Sequence, residues 1–338
     1  MRLRIDATVW RGPIAESRHR FQAAVSAPDG VLAAQTDEPH LVTTFRSAAK
    51  PFQLLPLVER GHVERWGFDD ETLAVMTASH TGSRYHVDLV QGILARIGLS
   101  DHDLACGYHE PLDPESLAQI RMHPAARSPL YNNCSGKHAG MLALALAEGW
   151  PTQGYEQAGH PVQRLMKLVV AESCGVPPES LTVGVDGCSV SVFGAPLSGM
   201  ARAYARLATA RAAGDARERA MARIRDAMQV WPRATGGAGR LSTALMERVP
   251  GRLVAKGGAE GLECLGLPER GLGLALKCED GQSRAIGPAL LGLLEQLGGL
   301  GVDEMARLAD LHGSVIRNHA GLEVGSVTAE VRVLERAR

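Results

Sequence analysis

The chain has 338 residues, 45% hydrophobic and 22% charged, enough for one large domain or two closely joined ones and ordinary for a soluble globular protein. Thirty-six basic residues against 37 acidic ones leave a formal charge of -1, so the basic field that non-specific nucleic-acid binding needs is absent and a small-molecule partner is expected. No secretory h-region follows Met1, the longest apolar runs, such as 139–147, are far shorter than the roughly 20 residues of a membrane span, and the six cysteines are scattered. A cytoplasmic protein with no membrane attachment and reduced thiols is the expectation.

In chain order, Phe21 to Thr36 holds two β-prone runs around Pro28-Asp29-Gly30, a hairpin signature. Arg46-Ser47-Ala48-Ala49-Lys50-Pro51 then heads an apolar run. Proline is tolerated in a first helical turn and not in a helix interior, so this helix should begin near Ser47. Apolar residues recur at helical spacing over 86–98, 139–149, 161–174, 201–212 and 215–230, the last ending at Trp231-Pro232. Gly-rich breaks at 236–239 and at Gly257-Gly258 bracket a return to sheet, and a second hairpin is expected between Leu272 and Ala285 around Asp280-Gly281. Gly287-Pro288 opens a last helix, Ala289 to Leu297, which Gly298-Gly299 should end. Strands from both ends with a helical block between them predict an α/β (α+β) protein. It would be a single catalytic unit whose sheet part comes from about 1–50 and 180–338, with a helical insert of about 51–179.

Five stretches could carry chemistry. Ser47 and Lys50 are three apart, hence on one face of a helix, where a hydroxyl and an amine can meet. Serine is also among the best helix caps, so Ser47 has a plain structural alternative. A lysine can act as the base for a serine only when burial or neighbouring cations lower its pKa. Lys256-Gly257-Gly258, on an expected strand, offers such a cation. With Ser47-x-x-Lys50 it departs by one residue from the S-x-x-K and K-T-G elements of serine β-lactamases, while the S-D-N element is absent. Ser79 in Ala78-Ser79-His80-Thr81-Gly82 supplies another serine.

Asn133-Cys134-Ser135-Gly136-Lys137-His138 crowds a thiol, an amine and an imidazole ahead of an apolar helix, and Asp186-Gly187-Cys188 adds a second thiol and a carboxylate. Cys134, Cys188 and one nitrogen would make a three-ligand zinc site with an open fourth position. On residue chemistry alone His138 is the expected nitrogen, because lysine must lose its proton before it can coordinate.

The stretches FRSAAKPFQ, ASHTG, NNCSGKHAGML, VDGCSVSVFG, VAKGGAEG and NHAGLEVG, in that order from Val9 to Val333, resemble the bacterial L-asparaginase II family, the Rhizobium-type zinc-containing asparaginases. The resemblance implies a serine β-lactamase/glutaminase-like fold, mainly an antiparallel sheet flanked by helices. It also implies a homodimer that hydrolyses L-asparagine to aspartate and ammonia. Ser47 would then be the nucleophile with Lys50 as its base, and Ser79 and Lys256 a second serine–lysine pair. Cys134, Lys137 and Cys188 would be the zinc ligands, so Lys137 displaces His138, which moves to the substrate side with Arg46 and Asp186. Asp186 is expected to meet the substrate's α-ammonium. The alternatives are a glutaminase or other serine amidase on the same scaffold, a zinc-hydroxide hydrolase, and a zinc-binding or thiol-sensing protein without catalysis. One methylene of substrate separates asparagine from glutamine by only about 10–200-fold in a simple pocket.

Overall fold

The computed structural model describes residues 1–335. Its strands are β1 (Arg2–Arg11), β2 (Ile14–Ser26), β3 (Leu32–Gln35), β4 (Val42–Thr44), β5 (Thr182–Val185), β6 (Ser191–Pro196), β7 (Val254–Gly258), β8 (Leu262–Leu267), β9 (Leu272–Cys278), β10 (Ser314–Arg317) and β11 (Glu323–Glu335). Its helices are α1 (Lys50–Glu59), α2 (His62–Trp66), α3 (Asp70–Met76), α4 (Arg84–Arg96), α5 (Pro114–Met122), α6 (Ser135–Ala147), α7 (Pro161–Cys174), α8 (Leu197–Thr209), α9 (Ala216–Val230), α10 (Pro232–Thr235), α11 (Leu241–Arg248), α12 (Ile286–Leu297), α13 (Val302–Arg307) and α14 (Ala309–His312). The chain forms two compact units and passes between them after Thr43, Gly194, Thr209 and Ala244. The first holds Met1–Thr43, Ala195–Thr209 and Leu245 onward; the second holds Thr44–Gly194 and Ala210–Ala244. Residues 210–244 group with the second unit because α9 packs on α1 and α3.

The first unit is built on an eight-stranded sheet of order β10-β11-β1-β3-β2-β9-β8-β7, in which β1 also pairs with β2. All neighbouring pairs with a described register are antiparallel except β1 with β3. Along β1, Leu3, Ile5, Ala7 and Val9 are buried while Arg2 and Arg4 point outward, the period-2 signature of one covered face. Strand β9 is buried at almost every position and needs cover on both faces. Register shows how this is met. Gly273 stands opposite Gly266, and a Cβ on Gly273 would lie 2.1 Å from the Ala205 nitrogen of α8. The pair of glycines thus lets α8 sit directly on the sheet. The opposite face, with Ile5, Phe21 and Val331 in register, carries α12, where Gly292 meets Val331.

The hairpin expected around Pro28-Asp29-Gly30 is present, β2 running antiparallel to β3 with Gly30 at φ +97°. The one expected around Asp280-Gly281 is not, since no strand follows β9 before α12. Asp280 explains this: its carboxylate accepts from the Gln282 N–H at 3.0 Å and from the Cys278 thiol at 3.0 Å, and lies 2.6 Å from His19 Nδ1. The side chain closes a turn that strand pairing would otherwise need. The hairpin partner of β9 is β8, through a turn at Pro268–Arg270.

The second unit is helical, with the short hairpin β5–β6. In α6, Gly136 and Gly140 share one face, one turn apart, and lie against α3: a Cβ on Gly136 would stand 2.1 Å from the Val75 oxygen, and one on Gly140 3.2 Å from the Met76 sulfur. This close seating brings the start of α6 to the end of α3. Helix α1 is buried from Lys50 to Val58 and packs on α6, α7 and α9. Among the described residues no helix is long and apolar enough to cross a membrane.

Candidate active site

Every residue of the site described next belongs to the second unit. The Phe45 N–H donates to the Phe193 oxygen of β6 at 2.8 Å, pinning the approach to α1. Arg46 then takes φ +46°, a left-handed conformation that a non-glycine residue adopts at a cost of roughly 1–3 kcal/mol. Residues 46–49 form a 3-10 turn and α1 starts at Lys50. Ser47 caps neither start, as no side-chain cap bond is made at either. Arg46 Nε donates to Asp186 Oδ1 at 3.0 Å, and Asp186 also accepts the Gly187 N–H at 2.8 Å. The turn that follows holds a second left-handed non-glycine residue, Ser189 at φ +78°.

Lys50 is 1% exposed. Its Nζ donates to the Ala78 oxygen, to Ser79 Oγ at 3.1 Å and to the Asn133 oxygen at 3.4 Å. Among the described residues none of its bonds goes to Ser47. Burial lowers the Lys50 pKa from the ordinary lysine value, and the Lys137 cation lowers it further against the opposing pull of Cys134. Ser79 lies just past the end of α3, its N–H donating to the Thr235 oxygen at 3.2 Å.

Cys134 precedes α6, Lys137 lies one turn along it, and Lys137 Nζ donates to Cys188 Sγ at 3.0 Å. A hydrogen bond from Cys188 takes Cys134 well below the usual thiol range against its burial, with Lys137 and Lys50 adding to the effect. The same bond, with burial, pushes Cys188 up. Burial opposes the charge of Lys137, but the sulfurs beside it outweigh that and push its amine up.

His138 is turned elsewhere: its Nδ1 lies 2.6 Å from the Tyr155 hydroxyl, which also accepts the Ala105 N–H at 2.9 Å. Among the described residues no histidine nitrogen joins both sulfurs within 4.8 Å. Two sulfurs and an amine make a soft donor set that suits zinc better than calcium or magnesium. It is also one in which the metal would have to take the place of protons on Lys137 and the thiol.

Residues 7–329 match the family model described as L-asparaginase II. The chain belongs to that family. Membership makes it an enzyme of the asparaginase, amidohydrolase kind acting on a small molecule. No characterised protein matches the chain in sequence. Among solved structures, the chain is similar to Mglu in its native form at 15% identity and a TM-score of 0.44, over 82% of this chain and 65% of Mglu. It is similar to a β-lactamase from Mycobacterium bovis at 15% identity and a TM-score of 0.38, over 78% of this chain and 88% of that one.

Set beside the sequence of this asparaginase-family chain, the structure brings Lys50, Ser79, Cys134, Lys137 and Cys188 together and pairs Arg46 with Asp186. Lys256 belongs to the first unit, on β7, where it is buried and donates to the Gly257 oxygen at 3.1 Å. Sequence reasoning passed over Asn132, whose Oδ1 accepts the Cys134 N–H at 2.9 Å while its Nδ2 donates to the Cys106 oxygen at 2.9 Å. An Asn-Asn pair ahead of a cysteine is a turn signal that could have found it. It also passed over the three-residue cluster of His19, Cys278 and Asp280 in the first unit, where Cys278 and Asp280 are two apart but His19 lies far from both in the sequence.

Proposed function

We propose that the enzyme hydrolyses the side-chain amide of L-asparagine to L-aspartate and ammonia, with Ser47 as nucleophile. The observation that carries this reading is Lys50: a buried amine of lowered pKa, one turn past an uncapped serine and hydrogen-bonded to a second serine hydroxyl. Neutral Lys50 takes the Ser47 proton, directly or by way of Ser79, as Ser47 Oγ bonds to the amide carbon. Collapse of the tetrahedral adduct breaks the C–N bond, and a proton from Lys50 leaves with nitrogen as ammonia. Water then attacks the acyl-enzyme, giving its proton back through the same groups and releasing aspartate. Lys256 is proposed as the second lysine of this proton traffic. The N–H of Ser47 is proposed as one donor to the oxyanion, a role whose loss typically costs about 10²–10³ in rate.

Arg46 and Asp186 suit the amino-acid end of the substrate. The guanidinium matches an α-carboxylate in two-pronged fashion, and the carboxylate matches an α-ammonium. A zwitterion would exchange their mutual ion pair for one new pair on each side. Cys134, Lys137 and Cys188 would hold a zinc ion, which when bound supplies positive charge that orients the substrate. His138, bonded to Tyr155, is proposed to stand behind these substrate-side groups.

The test is ammonia release from L-asparagine and L-glutamine by wild type and Ser47→Ala, each with and without a chelator. Loss of about 10³-fold or more in Ser47→Ala, with only partial loss on chelation of wild type, supports the reading. A fully active Ser47→Ala moves the chemistry to the metal, and equal kcat/KM for glutamine overturns the choice of substrate.

A further inference from the structure

His80 follows Ser79, is 0% exposed, and has both ring nitrogens engaged in a way that fixes where its proton sits. The Gly82 backbone N–H, which can only donate, meets His80 Nδ1 at 3.1 Å. Nδ1 is therefore the acceptor and Nε2 carries hydrogen. Nε2 lies 2.9 Å from Ser135 Oγ, and that hydroxyl donates in turn to the Leu130 carbonyl at 2.9 Å. A backbone N–H at one end and a backbone carbonyl at the other force the direction of every bond between. The ring is stacked on His86, with centroids 4.9 Å apart and planes 11° from parallel, and His86 is held by Ser83 Oγ at 2.7 Å and the Arg233 oxygen at 2.8 Å. Burial first, then His86 and Lys50, push the His80 pKa well below the ordinary imidazole value, in keeping with this pattern.

The His80 ring ties together the segments that carry the two halves of the site. Ser79, bonded to Lys50, is its neighbour in the chain. Ser135, which it bonds, is the first residue of α6, follows Cys134 and stands two before Lys137. The His80 backbone N–H adds a parallel tie to the Asn133 oxygen at 3.2 Å, the oxygen that Lys50 also reaches. No other imidazole of the chain links these two segments among the described residues.

We propose that His80 is a positioning residue whose Nε2–H bond to Ser135 sets the Ser79 hydroxyl and the Lys50 amine in place against the Cys134–Lys137 turn. This rests on the reading that Ser79 and Lys50 move protons, and it adds the His80 side chain to the backbone bonds that hold Ser79 and Lys50. Misplacement of catalytic groups by about 1 Å can cost on the order of 10²-fold, so loss of the bond is expected to act on kcat.

The experiment compares wild type with Ser79→Ala, Ser135→Ala, His80→Asn and His80→Gln, reading kcat and KM for asparagine hydrolysis and the melting temperature of each. Asparagine at 80 offers an acceptor to Gly82 and is too short for Ser135, whereas glutamine can extend a donor to Ser135. Ser135→Ala and His80→Asn are expected to lose at least about tenfold in kcat with KM moving less than about threefold, and His80→Gln to recover most of the loss. If Ser79→Ala is inactive while Ser135→Ala, folded by its melting curve, keeps full kcat, His80 has no positioning role and the serine–lysine reading stands. Equal losses in His80→Asn and His80→Gln, tracking melting temperature, reduce His80 to packing. A fully active Ser79→Ala overturns the serine–lysine reading and this proposal with it.

Discussion

Among single residues, Lys50 bears most on the proposed catalysis. As the proposed base it must be neutral to act, and burial lowers its pKa from 10.5, so kcat/KM should rise with pH along a limb whose midpoint lies below that value. A rate profile over pH for wild type checks this, and Lys50→Met should remove the limb together with most of the activity. A second residue, Asp280, bears on stability. Burial opposes its charge, but bonds from Cys278, the Gln282 N–H and His19 prevail and hold it at about 2, against 3.8 for a free aspartate. A carboxyl lowered on folding stabilises above its unfolded pKa and stops doing so as pH falls through the folded one. Asp280→Asn should therefore melt below wild type at neutral pH, with the gap closing between about pH 4 and pH 2; a gap independent of pH would assign the effect to packing. Cys278, pushed up to about 12 by burial and this carboxylate, stays a thiol throughout.

Among elements, glycines that seat helices decide more than helix propensity does. A side chain at Gly273 meets the backbone of α8, and one at Gly136 the backbone of α3, each at 2.1 Å. Gly273→Val should destabilise by at least about 3 kcal/mol, measured by denaturant unfolding. Gly136→Ala should lower kcat as well as stability, because it moves the start of α6 away from Ser79. The same seating explains what the sequence could and could not tell. Periodicity located α7, α9 and α12 within a residue or three, since each presents one apolar face. It began the helix of the cysteine motif at Ala139, four residues late, because Ser135, Lys137 and His138 are polar and yet buried. The S-x-x-K spacing marked Ser47 and Lys50, but spacing speaks only of neighbours in one helix. That Lys50 turns to Ser79 depends on where α3 ends, and hence on Gly136 and Gly140 of another helix. The thiol pair was marked by its chemistry, as two ligands of one zinc site, but the bond from Lys137 to Cys188 was not, because it forms only through the tertiary structure.

At the scale of the whole molecule, β1 lies between β2, its neighbour in sequence, and β11, the last strand described, in register from Leu3 opposite Val333 to Arg11 opposite Gly325. Removing residues 323 onward strips β1 of that partner and α12 of part of its bed, so the truncated chain should be insoluble or unfolded by circular dichroism; a folded, active truncation would show β11 dispensable. The pairing also imposes an order of events on the ribosome. Residues 44–194 can collapse into helices as soon as they emerge, whereas the first strand must wait, one edge open, until β11 has been synthesised. Until then the nascent chain carries an unfinished sheet, and the strand that covers that edge is made after every other strand described.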